Sequence, residues 1–84
     1  MESELLILLS SYPLSEYSAL ARYIEPHLPL IKSRTLGAFY HDLRYQKMSC
    51  IDHISILEQD AIKDYRLRSV LERIVCFIKT SQRI

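Results

Sequence analysis

Four kinds of side chain in this 84-residue sequence are equipped for chemistry: three histidines, two cysteines, a run of carboxylates and six tyrosines. Laid out at helical spacing, His27, His41 and His53 do not share a face. Cys50 and His53 stand three residues apart, so one helix face could offer two ligands to a metal ion. Zinc sites use three or four, and no other Cys or His lies at ligand spacing. No metal is therefore expected. Glu58, Asp60 and Asp64 could serve acid–base chemistry, but the spacing puts them on a solvated helix face, away from any pocket that would shift their pKa. A single glycine, Gly37, leaves no material for a phosphate-binding loop. No Ser/His/Asp arrangement stands out either, so neither an enzyme nor a cofactor is expected. The tyrosines, Tyr12, Tyr17, Tyr23, Tyr40, Tyr45 and Tyr65, sit partly among basic residues, as in Leu43-Arg44-Tyr45-Gln46-Lys47, where rings could stack on bases. Tyrosine is more often half-buried at protein interfaces, its ring apolar and its hydroxyl wet.

The elements that would position these side chains are helices. From Ser33 to about Thr80 the chain has one glycine near its start and no proline, the usual signals for a turn. At 1.5 Å per residue such a helix would reach roughly 70 Å. With Leu36 at heptad position a, the following a positions are Leu43, Cys50, Leu57, Asp64, Leu71 and Ile78. The d positions are Tyr40, Lys47, Ile54, Ala61, Arg68 and Val75. This 3,4 spacing is the seam of a coiled coil. It falters at Asp64 and Arg68, after which Leu67, Val70, Ile74 and Phe77 fit a shifted seam, as at a stutter. A hinge or turn near Asp60–Asp64 is the alternative.

Upstream, Glu2–Ser10 predicts a short helix with Leu5, Leu6, Leu8 and Leu9 on its apolar side, ended by Ser10, Ser11 and Pro13. Ser15 is placed to cap a second helix, whose buried side is Tyr17, Leu20, Ala21 and Ile24 and whose end is set by Pro26. His27–Lys32 is a connector that Pro29 keeps extended, with Leu28, Leu30 and Ile31 turned inward. Ser33 caps the long helix. The expected fold is all-α: a short N-terminal helical hairpin with its connector over 1–32, then one long coiled-coil-type helix over 33–84 as a partner-binding rod. The interface residues would be Leu36, Tyr40, Leu43, Ile54, Leu57, Leu71, Val75 and Ile78.

The charge is +1 overall but unevenly spread. Residues 1–31 carry −3, residues 32–62 balance, and residues 63–84 carry +4 through Lys63, Arg66, Arg68, Arg73, Lys79 and Arg83 against Asp64 and Glu72. Such a basic end suits a helix C-terminus and could also meet nucleic acid or an acidic protein surface. On one helix Cys50 and Cys76 would lie about 39 Å apart by rise, far beyond disulfide reach, which fits a reducing compartment. Leu5–Leu9 is too short for a signal-peptide core and follows Glu2 and Glu4 rather than basic residues. No stretch approaches the roughly 20 apolar residues of a membrane span. The chain is expected inside the cell and away from membranes.

The middle of the sequence resembles the signature of the Cnl/Nkp family, small fungal inner-kinetochore subunits. Leu36-Gly-Ala-Phe39-Tyr40-His-Asp42-Leu43-Arg-Tyr-Gln46-Lys47 followed by Ile51-Asp52 matches its order of an aromatic or aliphatic residue, a tyrosine, an acidic residue and a leucine, then a Gln–basic and an Ile–Asp pair. Glu4–Leu9, Ser11-Tyr-Pro13-Leu14, then Leu20, Tyr23 and Pro26 follow the family's upstream order, and Ser33-Arg34 falls where its long helix begins. The similarity covers roughly residues 4–60. It implies a structural role in chromosome segregation without a cofactor: pairing with a sister Nkp-type subunit through long parallel helices, and docking on the inner-kinetochore assembly that contains the CENP-O/P/Q/U counterparts. It places the chain in the nucleus, at the centromere; the near-zero net charge separately argues against direct contact to DNA. Two other roles remain open from the residues themselves: a small helical nucleic-acid-binding module, and a homodimeric coiled-coil adaptor using the same seam.

Overall fold

A computed structural model describes residues 2–31 and 33–81. All regular structure among them is helical. The α-helices are α1 (Glu2–Ser11), α2 (Tyr17–Ile24), α3 (Arg34–Arg44), α4 (Ile54–Lys63) and α5 (Tyr65–Ser81), joined in part by 3-10 segments at Leu14–Glu16, Glu25–Leu30 and Met48–His53. Met1, Lys32 and residues 82–84, including Arg83 of the basic C-terminal face, lie outside the described residues.

The expected long helix is three helices, and each break has a local cause. At the first, the Gln46 N–H donates to Leu43 O at 3.1 Å and the Lys47 N–H to Asp42 O at 2.8 Å. Gln46 has a φ of 56°. This pair of bonds around a left-handed residue is a Schellman motif, usually built on glycine. At the second break Asp64 is extended, with φ −124° and ψ 110°. Its carboxylate accepts the Arg66 N–H at 2.9 Å, and its carbonyl accepts the Arg68 N–H at 3.0 Å. One residue thus follows α4 and N-caps α5, through the short polar side chain that favours caps over helix interiors. The faltering of the seam at Asp64 is this turn and not a stutter.

The N-terminal third follows its sequence more closely. Ser10 and Ser11 donate to the Leu6, Ile7 and Leu8 carbonyls at the end of α1, and Pro13 follows. Tyr17, Leu20, Ala21 and Ile24 are the buried face of α2. Ser15 makes no cap; it lies in the 3-10 turn before α2. The connector is helical rather than extended up to Leu30, and Ile31 is extended. Both prolines lie in a 3-10 segment, Pro26 in its first turn, where the N–H lacks a helical partner in any case, and Pro29 further inside. Ile31 is buried, but Leu30 points out at 66% exposure. Ser33 caps α3 as expected, accepting the Leu36 N–H at 3.1 Å.

One core crosses the boundary drawn at residues 32 and 33. Leu5 and Leu9 of α1, Leu20 and Ile24 of α2, Phe39 and Leu43 of α3, Leu57 of α4 and Leu71, Ile74 and Ile78 of α5 all belong to it. α1 packs on α4 and α5, and α2 on α3 and α5; the first two helices do not form a hairpin of their own. The Tyr23 and Phe77 rings stack at 4.8 Å between α2 and α5, and a Glu4–Lys79 ion pair links α1 to α5 on the surface. The molecule measures 32 × 24 × 21 Å with a radius of gyration of 11.5 Å, close to the roughly 12 Å of a compact chain this long. There is no rod.

Candidate functional site

Folding back takes the seam inside. Leu36, Leu43, Ile54, Leu57, Leu71 and Ile78 are at most 1% exposed and Val75 is buried too. Tyr40 alone of the eight is half-buried. Its hydroxyl donates to Glu25 Oε2 at 3.0 Å and accepts from Arg44 Nη1 at 3.3 Å. The residues expected to meet a partner instead meet one another, because three helices turn their apolar stripes to a common centre.

The turn after α3 assembles a polar cluster that spacing did not reveal. Asp42 Oδ2 accepts the Ser49 hydroxyl at 2.8 Å and lies 3.1 Å from His53 Nε2, while its Oδ1 is 3.3 Å from His41 Nδ1. The Ser49 hydroxyl, with the two imidazoles, holds the Asp42 carboxyl below the usual carboxylate range, against a smaller opposing effect of burial. The composition is Ser, His and Asp, but the wiring is not that of a nucleophile. A catalytic serine gives its proton to the imidazole, whereas Ser49 gives its proton to the carboxylate. Asp42 also accepts the Lys47 N–H through its carbonyl. The cluster fastens a turn.

His53 is engaged with Asp42, and Cys50 is fully buried, its thiol pushed up to about 11 by burial and by nearby carboxylates. Among the described residues no three His, Cys, Asp or Glu side chains are placed to hold a metal. Cys76 is exposed, and both cysteines are free. The carboxylates expected on a solvated face are more deeply placed: Glu58 is buried, Asp60 accepts from Thr35 Oγ1 at 3.2 Å, and Asp64 caps α5. Of the tyrosines, Tyr12 and Tyr17 belong to the core, Tyr23 and Tyr40 are half-buried, and Tyr45 and Tyr65 are exposed.

Outside the core, large apolar side chains remain in solvent. Ile7, Leu30, Ile62 and Tyr65 are each more than 60% exposed. Leu30 and Tyr65 come together at a groove of about 230 Å³ between the Glu25–Leu30 segment and α5, with Ile31 and Val70 behind them and Arg66 and Arg73 beside them. Sequence spacing could not show this, since Leu30 and Tyr65 are far apart in the chain and Leu30 read as an inward residue. No described helix is long and apolar enough to cross a membrane. No family model, curated protein or solved structure matches the chain.

Proposed function

We propose that the chain is a non-enzymatic structural subunit, a small helical domain that binds other proteins within a larger assembly. The observation that carries this is the exposed apolar groove around Leu30 and Tyr65. Leu30 and Tyr65, left in solvent over a packed floor, offer a partner's apolar side chain a place to bury. The polar cluster at Asp42 serves the turn, and so does not compete with binding as the chain's function.

The assembly favoured by the sequence is the inner kinetochore, at the centromere in the nucleus. The support is the order Phe39-Tyr40, Asp42-Leu43, Gln46-Lys47 and Ile51-Asp52, which resembles the Cnl/Nkp signature. The proposed partners are a sister Nkp-type subunit and, through the pair, the CENP-O/P/Q/U-type assembly. With the seam enclosed in its own core, the chain meets the sister subunit through outer surface rather than through a long parallel coiled coil.

Co-expression with a sister Nkp-type subunit, followed by size-exclusion chromatography with light scattering, tests this. A 1:1 complex of defined mass is expected. A compact monomer that ignores the sister subunit overturns the kinetochore assignment, and a chain that also binds no member of the CENP-O/P/Q/U-type assembly overturns the subunit role.

A further inference from the structure

We infer that the groove between the Glu25–Leu30 segment and α5 docks an acidic amphipathic helix of a partner protein, seating its bulky apolar side chains against Leu30, Tyr65 and Val70 and its carboxylates on Arg66 and Arg73. This rests on the proposed role as a protein-binding subunit and names the class of partner.

The groove is lined by fixed and free parts. Ile31 and Val70 are 6% and 3% exposed and belong to the packed core, whereas Leu30 and Tyr65 stand 66% and 81% exposed at its rim. A packed floor under exposed apolar walls gives a hydrophobic residue a place to bury without reorganising the domain. At about 230 Å³ the groove falls below the roughly 300–1,000 Å³ of small-molecule sites. It suits one or two side chains projecting from a helix, the i, i+3, i+4 anchors of helix-in-groove recognition.

Charge selects the kind of helix. Among the described residues Arg66, Arg73 and His27 line the groove, and no Asp or Glu does. Arg66 and Arg73 are seven residues apart, so they share one flank of α5 and are separated by about 10 Å of helix rise. Arg66 reaches Asp64 through Nε at 3.5 Å; Arg73 has no ion-pair partner among the described residues. A guanidinium accepts a carboxylate in a two-pronged hydrogen bond. Carboxylates seven apart on a partner helix, beside its apolar stripe, match both arginines while that stripe fills the groove. A nucleic-acid backbone would satisfy the arginines and leave the apolar walls unused.

The test uses the full chain and two synthetic helical peptides of about four turns. Both carry leucines along one stripe; one bears glutamates seven residues apart on its flank, and the other lysines there. Binding is followed by amide chemical-shift changes in the isotope-labelled protein. The glutamate peptide is expected to move the amides of Leu30, Tyr65, Ser69, Val70 and Arg73. The double variant Arg66→Glu, Arg73→Glu should weaken it by about tenfold or more and favour the lysine peptide. Leu30→Ser, which changes only an exposed side chain, should weaken both peptides. Equal binding of the two peptides to the wild type, shifts confined to another surface, absence of binding, or displacement of the peptide by duplex DNA would each overturn the inference. A protein complex that survives the double charge reversal would refute the groove as its docking site and leave the subunit role standing. An acidic helix bound in the groove of a chain that joins no kinetochore subunit would do the opposite.

Discussion

The Tyr17 hydroxyl donates to the Leu9 carbonyl at 2.9 Å inside the core. The bond joins the end of α1 to the start of α2 across the corner at Tyr12 and Pro13, where the Tyr12 and Tyr17 rings also stack. Leu9 O additionally accepts the Tyr12 N–H at 3.2 Å, so removing the hydroxyl does not orphan it. Tyr17→Phe is therefore expected to cost about 1 kcal/mol, the net worth of one buried hydrogen bond. Urea unfolding should show this with an unchanged helical circular-dichroism spectrum. No loss of stability would mean that the ring alone holds the corner.

Asp42 sets an acid limit on stability. Its carboxyl is held below its ordinary value in the folded chain, first by the Ser49 hydroxyl and then by His41 and His53. The fold thus favours the ionised form. The contribution is complete above the unfolded-state value near 4 and disappears as pH falls through the lower folded value. Urea titrations from neutral to acid pH should show wild type losing stability below about pH 4. Asp42→Asn should be less stable at neutral pH by about 1–2 kcal/mol, the difference closing in acid. A constant gap would refute the carboxylate's role in the turn.

Two residues stand where their backbone would prefer the other kind. Gly37 lies exposed within α3 with open space around an added Cβ, so Gly37→Ala should stabilise by about 1 kcal/mol. Gln46 holds the left-handed turn position, so Gln46→Gly should stabilise by up to about 1 kcal/mol, and the β-branched Gln46→Val should destabilise. For a domain of this size each kcal/mol moves the melting temperature by about 4–8 °C. A fall in melting temperature on Gln46→Gly would contradict the Schellman geometry.

The two thiols should separate cleanly in reactivity. Cys76 is exposed, while Cys50 is enclosed with its thiol raised to about 11, and only a thiolate reacts. A thiol reagent at neutral pH should modify one cysteine quickly and the second only as the domain opens. Fast modification of both would show that the packing around Cys50 is loose.

Much of the fold was legible in the residues. Apolar spacing located α2 and its buried face, Ser10–Pro13 ended α1, and Ser33 announced α3. The seam of Leu36, Leu43, Ile54, Leu57, Leu71 and Ile78 correctly picked out apolar positions but not what they face, because a 3,4 pattern serves an intrachain core as well as a coiled coil. The breaks were harder to see. Gln46 occupies a position where glycine would have advertised a turn, and Asp64 looked like a flawed seam residue because a cap and a polar heptad position use the same side chain. Asp42 and His53 were separate by the same token: on a continuous helix they would be about 16 Å apart, and only the turn after α3 brings them together. The groove depended on Leu30, which its apolar neighbours made look buried.

Asp64 also bears on how two copies of the chain could exchange parts. One extended residue separates α4 from α5, and α5 carries six buried side chains into the core. Asp64→Ala removes the α5 cap, worth about 1 kcal/mol, and installs the residue that best continues a helix. Merged α4 and α5 would carry those six side chains away from their own molecule, and the nearest complementary cavity is the one vacated in a second copy. The expected product is a domain-swapped dimer, seen as a concentration-dependent species of twice the monomer mass that wild type does not form under the same conditions. Such a dimer would show that the joint at Asp64 keeps α5 in its own chain.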